Sequence, residues 1–171
     1  EERIIKGMVG REMSERYPER SHSIRKEIAF EVRNLTVYHE LYHDRKVVDD
    51  VSFKIYKGEV VGIYGLIGSG RTEMAMALFG RAYGTRISGT VIKDNQEYNF
   101  TSVPEAIKHG LAYVTEDRKD SGLLLGSSVM HNITLPRLDY VASKGRIDRD
   151  REKQVAEKFR EALGIKAQNV E

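Results

Sequence analysis

Val60-Val61-Gly62-Ile63-Tyr64-Gly65-Leu66-Ile67-Gly68-Ser69-Gly70-Arg71-Thr72-Glu73 constrains the fold more than any other stretch of the chain. It begins as a short apolar run, the pattern of a strand buried on both faces. It passes through Gly65, Gly68 and Gly70 and opens into residues 72–79, where Met74 and Leu78 suit one face of a helix. Strand, glycine loop and helix in that order make a phosphate-binding turn. The spacing fits G-x-x-x-x-G-K-[ST], with Gly65 first, Gly70 sixth and Thr72 in the hydroxyl position. Glycines let the backbone curl so that successive N–H groups converge on one anion. The helix adds its positive dipole end, and the Thr72 hydroxyl can ligate a Mg2+ ion that bridges phosphates. Where the motif has lysine, this chain has Arg71. Arginine keeps the charge but is a planar fork, wider than an ammonium.

Composition narrows the setting. The chain has 171 residues, room for one domain and a linker. Its net charge of +2 gives no global reason to expect a nucleic acid or an anionic membrane as partner. Without cysteine there are no disulfides and no thiolate-ligated zinc, which is compatible with the cytosol. No apolar run approaches the ~20 residues that cross a bilayer. The charged first residues are followed by no apolar stretch of the signal-peptide kind. A membrane connection would run through a partner.

Residues 1–27 are dense in charge and poor in apolar side chains. They predict an exposed connector, with a short helix over residues 1–8 broken by Gly10, Pro18 and Ser21-His22-Ser23. Residues 28–171 form the domain. Residues 28–37 alternate as a strand with Ile28, Phe30 and Val32 on one face. Residues 38–46 read as a polar loop holding Tyr38, His39, Tyr42 and His43. Residues 47–56 read as a second strand, with Val51, Phe53 and Ile55 facing one way, and Lys57-Gly58 turns it into the glycine-loop strand. Two strands leading by a tight turn into a central one imply an antiparallel β subdomain beside a parallel core. Residues 87–92 and 97–100 flank Asp94-Asn95, a hairpin signal.

Ser102 predicts a helix start with a capping box to Glu105 and Pro104 in the first turn, and Gly110 ends that helix. Residues 111–115 read as a buried strand and residues 116–120 as a charged loop. Residues 129–135 suggest a short helix stopped by Pro136. Asp148 caps a last helix carrying Val155, Phe159, Ala162 and Leu163 on one stripe and ending at Gly164. A phosphate-transferring site needs a second carboxylate. Downstream of Thr72 the candidate is Leu111-Ala112-Tyr113-Val114-Thr115-Glu116-Asp117. A small complete kinase or NTPase using Glu116 or Asp117 and a merely solvated charged loop both remain open on that segment alone.

The chain resembles the ATP-binding subunit of bacterial ABC importers for monosaccharides, of the ribose, xylose and multiple-sugar kind. The matching segments are Met8-Val9-Gly10-Arg11-Glu12, Gly58-Glu59-Val60-Val61-Gly62, Gly65-Leu66-Ile67-Gly68-Ser69-Gly70-Arg71-Thr72-Glu73, Leu78-Phe79-Gly80, Ala112-Tyr113-Val114-Thr115-Glu116-Asp117-Arg118-Lys119 and Asn132-Ile133-Thr134-Leu135. In that family two nucleotide-binding domains share one polypeptide, and this chain looks like the linker plus the first half of the second. The resemblance implies an α/β fold, the ABC-type P-loop core of parallel sheet and helices with an antiparallel β subdomain, here truncated. It implies ATP and Mg2+ as cofactors, held by residues 65–73 as Walker A.

The resemblance also places Glu116 where most such domains have the Q-loop glutamine, which touches Mg2+; Thr72 and Glu116 are then the metal-side residues. Tyr42 aligns by distance with the aromatic that stacks on adenine, with Tyr38 as competitor. The surface around residues 116–120 and 129–135 would face a transmembrane permease. The first nucleotide-binding domain and, indirectly, a periplasmic or lipid-anchored sugar-binding protein would be the other partners, at the cytoplasmic face of the membrane; no nucleic acid is expected. The signature Leu-Ser-Gly-Gly, the Walker B strand, the catalytic glutamate and the switch histidine would all follow Glu171. No catalytic residue is then expected within this chain, and His109 and His131 match none of these motifs. A degenerate, weakly hydrolysing or purely structural half-site follows from Arg71 and Glu116 together.

Overall fold

The computed structural model describes residues 24–171. The expected connector therefore lies almost wholly outside the described residues, as do the helix over residues 1–8 and His22. The chain divides into two compact units, the first reaching to Tyr113 and the second spanning Val114–Glu171.

In the first unit, β1 (Ile28–Tyr38), β2 (Lys46–Tyr56), β3 (Thr85–Lys93) and β4 (Gln96–Tyr98) form one antiparallel sheet in the order β2-β1-β3-β4. Arg25 and Glu27 extend the β1–β2 pairing through backbone bonds with Lys57 at 3.0 and 2.9 Å. The helix α1 (Arg71–Leu78) packs on one face of the sheet. Val32, Leu35, Val37, Val48, Met74 and Ala77 are buried together there. Strand alternation sets this pattern, but two defects shift its phase. Asn34 and Asp50 have positive φ, and the β1–β2 register slips between Val32 and Leu35. The defects are stitched by side chains: Asn34 Nδ2 donates to Asp50 Oδ1 at 2.7 Å, and the Asp50 amide donates to Thr36 Oγ1 at 3.1 Å. Paired bulges of this kind raise the local twist.

On β1, Glu31 is nearly buried between Arg33 and Lys54, at 2.8 and 3.4 Å. The Arg33 hydrogen bond, then the Lys54 bond, outweigh burial and hold its carboxyl below the usual carboxylate range. A folded-state pKa below the unfolded one means stabilisation that is present at neutral pH and lost as the pH falls through the folded value.

The β3–β4 turn is Asp94-Asn95, with φ of 49° and 63° at the two residues. Both central residues are left-handed, the mirror-image turn whose twist suits a hairpin. The helix α2 (Val103–Lys108) starts at Ser102 as expected, with Pro104 in its first turn. The capping box differs. Glu105 reaches Thr101 rather than Ser102, accepting from its amide at 2.9 Å and its hydroxyl at 3.0 Å. One residue further back, Thr101 offers two donors to a single carboxylate oxygen, and these bonds depress the Glu105 pKa.

The strands expected over residues 60–64 and 111–115 do not form: both segments run without regular structure. Val60, Ile63 and Tyr64 are 72%, 50% and 97% exposed, and Val114 is 91% exposed. A parallel strand is defined by ladders to its neighbours, and no described strand pairs with either segment.

In the second unit, a π-helical turn (Arg118–Gly122) leads to α3 (Val129–Thr134), a 3-10 turn (Leu135–Arg137), α4 (Leu138–Val141), the short hairpin β5 (Ala142–Ser143) and β6 (Arg146–Ile147), and α5 (Arg149–Ala162). Pro136 does not stop the chain turning. It lies in the first turn of the 3-10 segment, where its missing N–H costs nothing. Asp148 caps α5 by accepting the Arg151 amide at 3.1 Å. The face α5 buries runs through Glu152 and Ala156, while Phe159 and Leu163 of the expected stripe stay exposed. Glu152 is tolerated inside because Thr134 Oγ1 donates to it at 2.8 Å.

Candidate functional site

The glycine loop lies between β2 and α1. The Ser69 amide donates to the Leu66 carbonyl at 3.1 Å, closing a turn over residues 66–69. Gly68 and Gly70 then take φ of 78° and 86°, and α1 begins at Arg71 with Gly70 as its N-cap and no side-chain cap. The first amides of a helix have no partner within it. Gly70 adds no side-chain cap, and the positive end of α1 faces the loop. Glu73 sits in that first turn.

The glycines are placed by contact as well as by φ. A Cβ on Gly65 would meet Ser69 Oγ at 2.6 Å, and one on Gly70 would meet the Val47 carbonyl oxygen at 2.1 Å. Gly70 is thus where α1 leans directly on the β2 backbone. Beside the loop is an open hollow of about 470 Å³, walled by Val47, Val51 and Phe53 of β2 and by Gly65, Ser69 and Arg71. Arg71 is exposed, and one guanidinium nitrogen reaches the Leu66 carbonyl at 3.5 Å. That contact is at the limit of a hydrogen bond. Leu66 and Ile67 at the loop's tip are 82% and 100% exposed. The glycine hollow, the start of α1 and the nearby guanidinium suit an anionic group such as a phosphate, and Thr72 lies in the same first turn.

The loop joining β1 to β2 carries Tyr42, which is 65% exposed. Tyr38 closes β1 instead of belonging to the loop, and its ring lies under the Arg86 guanidinium at 5.5 Å. His39 Nδ1 accepts the amides of Leu41 and Tyr42 at 3.0 and 3.3 Å. Nothing in the residue pattern singled out His39; a histidine at the head of an aromatic loop was the available signal.

Glu116 is exposed in the second unit. Its neighbour Asp117 orders the segment, accepting the Lys119 and Asp120 amides at 2.9 and 3.0 Å. Thr115 Oγ1 donates to the Asp117 carbonyl at 2.8 Å. The charged loop is therefore a compact Asx-type turn. No group of three or more metal-ligating side chains occurs among the described residues. His109 packs its ring against Tyr98 and Phe100 at 4.6 and 5.8 Å, an aromatic cluster in the first unit.

Comparison with known proteins places these features. The ABC transporter family matches residues 48–171. The L-arabinose transport ATP-binding protein of Geobacillus stearothermophilus is 48% identical over 170 residues, 99% of this chain and 33% of that protein. The xylose import ATP-binding protein of Thermoanaerobacter pseudethanolicus is 39% identical over 99% of the chain and 33% of its own length. The ribose import ATP-binding protein of Bacillus subtilis is 40% identical over 98% of the chain and 32% of its own length. The chain thus spans about a third of these relatives. Its antiparallel sheet and helices are compatible with part of an α/β P-loop domain of that kind, and the glycine loop falls inside the matched residues. By this match the chain belongs to the ABC transporter family.

Proposed function

We propose that this chain is the Walker A and Q-loop part of an ATP-binding subunit that powers import of a monosaccharide, and that its own site binds Mg2+–ATP but hydrolyses it poorly. The observation that carries the reading is the glycine loop of residues 65–73, running uncapped into α1, inside a family match over residues 48–171. The names of the relatives support a sugar as cargo. Backbone amides of Gly68, Gly70 and Arg71 would hold phosphate oxygens, with Arg71 adding a permanent charge. The Thr72 hydroxyl would be a ligand on the Mg2+ side, and the ion would offset phosphate charge there. For the base, the exposed Tyr42 ring is favoured over Tyr38, which is already engaged by Arg86.

Hydrolysis also needs a positioned water and groups that stabilise the transition state. The expected result is that the isolated chain binds Mg2+–ATP and releases no phosphate above background in a steady-state assay. Turnover that Thr72→Ala abolishes would overturn this and favour a small P-loop kinase or NTPase using Glu116 or Asp117.

Membrane coupling is the second part of the proposal. No helix among the described residues is long and apolar enough to cross a membrane, so permease subunits would supply the crossing. The subunit would sit at the cytoplasmic face, with a first nucleotide-binding domain on the same polypeptide. The permease would meet the surface around residues 116–120 and 129–135 on the second unit, with the leucines between them. Leu123, Leu124 and Leu125 are 49%, 52% and 68% exposed. Their segment is pinned by Asn132, whose Oδ1 accepts the Leu124 amide at 2.8 Å and whose Nδ2 donates to the Leu124 and Ser128 carbonyls at 3.0 Å each. A rigid exposed apolar patch of this kind marks an interaction site. Cysteines at Ser121 and Ser128 of the assembled subunit are expected to cross-link to its permease; assembled subunits that give no adduct would refute the docking face.

A further inference from the structure

The loop of residues 39–45 pairs an exposed aromatic ring with a backbone held by several hydrogen bonds. The His39 amide donates to the Arg45 carbonyl at 2.9 Å, and the Arg45 amide donates to the Tyr42 carbonyl at 2.9 Å. Thr85 Oγ1 donates to the His39 carbonyl at 3.3 Å, and the Gly84 amide donates to Glu40 Oε1 at 3.2 Å, fastening the loop to the start of β3. At the centre is His39. Its Nδ1 accepts the amides of Leu41 and Tyr42. The imidazole also backs the Tyr42 ring at 5.1 Å and meets Tyr83 edge-on at 6.2 Å.

Tyr83 is the third ring of this cluster. Burial pushes its phenol above the ordinary tyrosine value, and the next contribution is the negative charge of Glu73 in the first turn of α1. A surface tyrosine has no packing reason to be held this firmly. Fixing a side chain before a ligand arrives removes part of the ordering cost of binding.

We propose that His39 is a positioning residue for base recognition, its Nδ1 holding the Leu41 and Tyr42 amides and its ring backing Tyr42 so that Tyr42 is a preformed stacking platform. This rests on the reading that Tyr42 takes the adenine ring. His39 touches no ligand itself; it acts through Tyr42. Substitution of His39 therefore weakens ligands that carry a base and spares ligands that are phosphate only.

The test is calorimetric titration of the chain with Mg2+–ATP and, in parallel, with Mg2+–tripolyphosphate, which has no base. Tyr42→Ala is expected to weaken ATP by about tenfold or more, the scale of a base stacked on an aromatic ring, with tripolyphosphate unchanged. His39→Ala is expected to weaken ATP by about three- to tenfold, again with tripolyphosphate unchanged. His39→Asn, whose side-chain oxygen can accept the same amides, is expected to recover most of that loss. If Tyr42→Ala weakens ATP while His39→Ala does not, the stacking reading stands and the role of His39 is overturned. If Tyr42→Ala leaves ATP untouched, both fall. Equal loss of ATP and tripolyphosphate in His39→Ala, or an Asn variant no better than the Ala variant, also overturns the role.

Discussion

Gly70→Ala is expected to destabilise the first unit by roughly 2–5 kcal/mol and to abolish nucleotide binding with it. Two costs combine. The backbone at Gly70 is left-handed, at φ 86°, and an L side chain there costs about 1–2 kcal/mol. The new Cβ would also lie 2.1 Å from the Val47 carbonyl oxygen, which is β2 backbone and not the end of a flexible side chain. Overpacking of that kind adds about 1–3 kcal/mol. Relief requires α1 to lift from β2, and α1 brings Met74 and Ala77 to the core. Gly68→Ala is the control. Gly68 is also left-handed, at φ 78°, but a Cβ there meets nothing within 4 Å. Its cost is confined to about 1–2 kcal/mol of backbone strain. Urea unfolding followed at the methyl groups of Val32 and Val37 measures both. Equal losses in the two variants would mean that contact with Val47 contributes nothing.

Arg71→Ala is the complementary case, with a large effect on the ligand and little on the fold. The side chain is exposed, and among the described residues its hydrogen-bond contact is the 3.5 Å approach to the Leu66 carbonyl. Its removal is expected to change stability by less than about 0.5 kcal/mol. A charge-assisted hydrogen bond to phosphate is worth about 1.5–3 kcal/mol, so Mg2+–ATP affinity should fall roughly 10- to 150-fold. Arg71→Lys keeps the charge without the fork and should fall between the two. In the intact subunit, Arg71→Ala should lower turnover less than the lysine substitution at the corresponding position of the partner domain. Unchanged affinity in Arg71→Ala would show that the guanidinium makes no phosphate contact. Turnover losses of equal size would show a full catalyst at this site.

How much of this could be read from residues alone depended on whether the partner of each residue was local. The Asp94-Asn95 hairpin, the Asp148 cap and the entry of Pro104 into α2 are contacts within a few residues, and each stands where the pattern put it. The glycine loop is local as well, and the helix read over residues 72–79 forms one residue earlier, from Arg71 to Leu78. Residues 60–64 and 111–115 failed for the opposite reason. A strand of the buried parallel type is made by neighbours, and an apolar run has the same composition whether they are present or not. The β5–β6 hairpin was legible and missed: Lys144-Gly145, with φ of 49° and 76°, is the same two-residue turn as Asp94-Asn95 on a smaller scale. The bulges at Asn34 and Asp50 could not be read, because each is satisfied by a side chain on the other strand. The same holds for the contacts of His39, which depend on where two amides and the Tyr42 and Tyr83 rings come to lie.

The position of β1 between β2 and β3 also orders events in time. During synthesis β1 and β2 emerge first, but a two-stranded hairpin is marginal in water by itself. The second neighbour of β1 starts at Thr85, after the glycine loop and α1 have been made. Met74 and Ala77 of α1 share one core with Val32 and Val37 of β1. Helix docking and closure of the sheet are therefore expected to occur as one cooperative step. The phosphate loop is an internal segment of the ring closed by that step. Closing entropy rises only slowly with loop length, by about 0.6 kcal/mol per doubling, so the excursion through residues 57–84 can carry a binding site at little kinetic cost to the sheet that frames it.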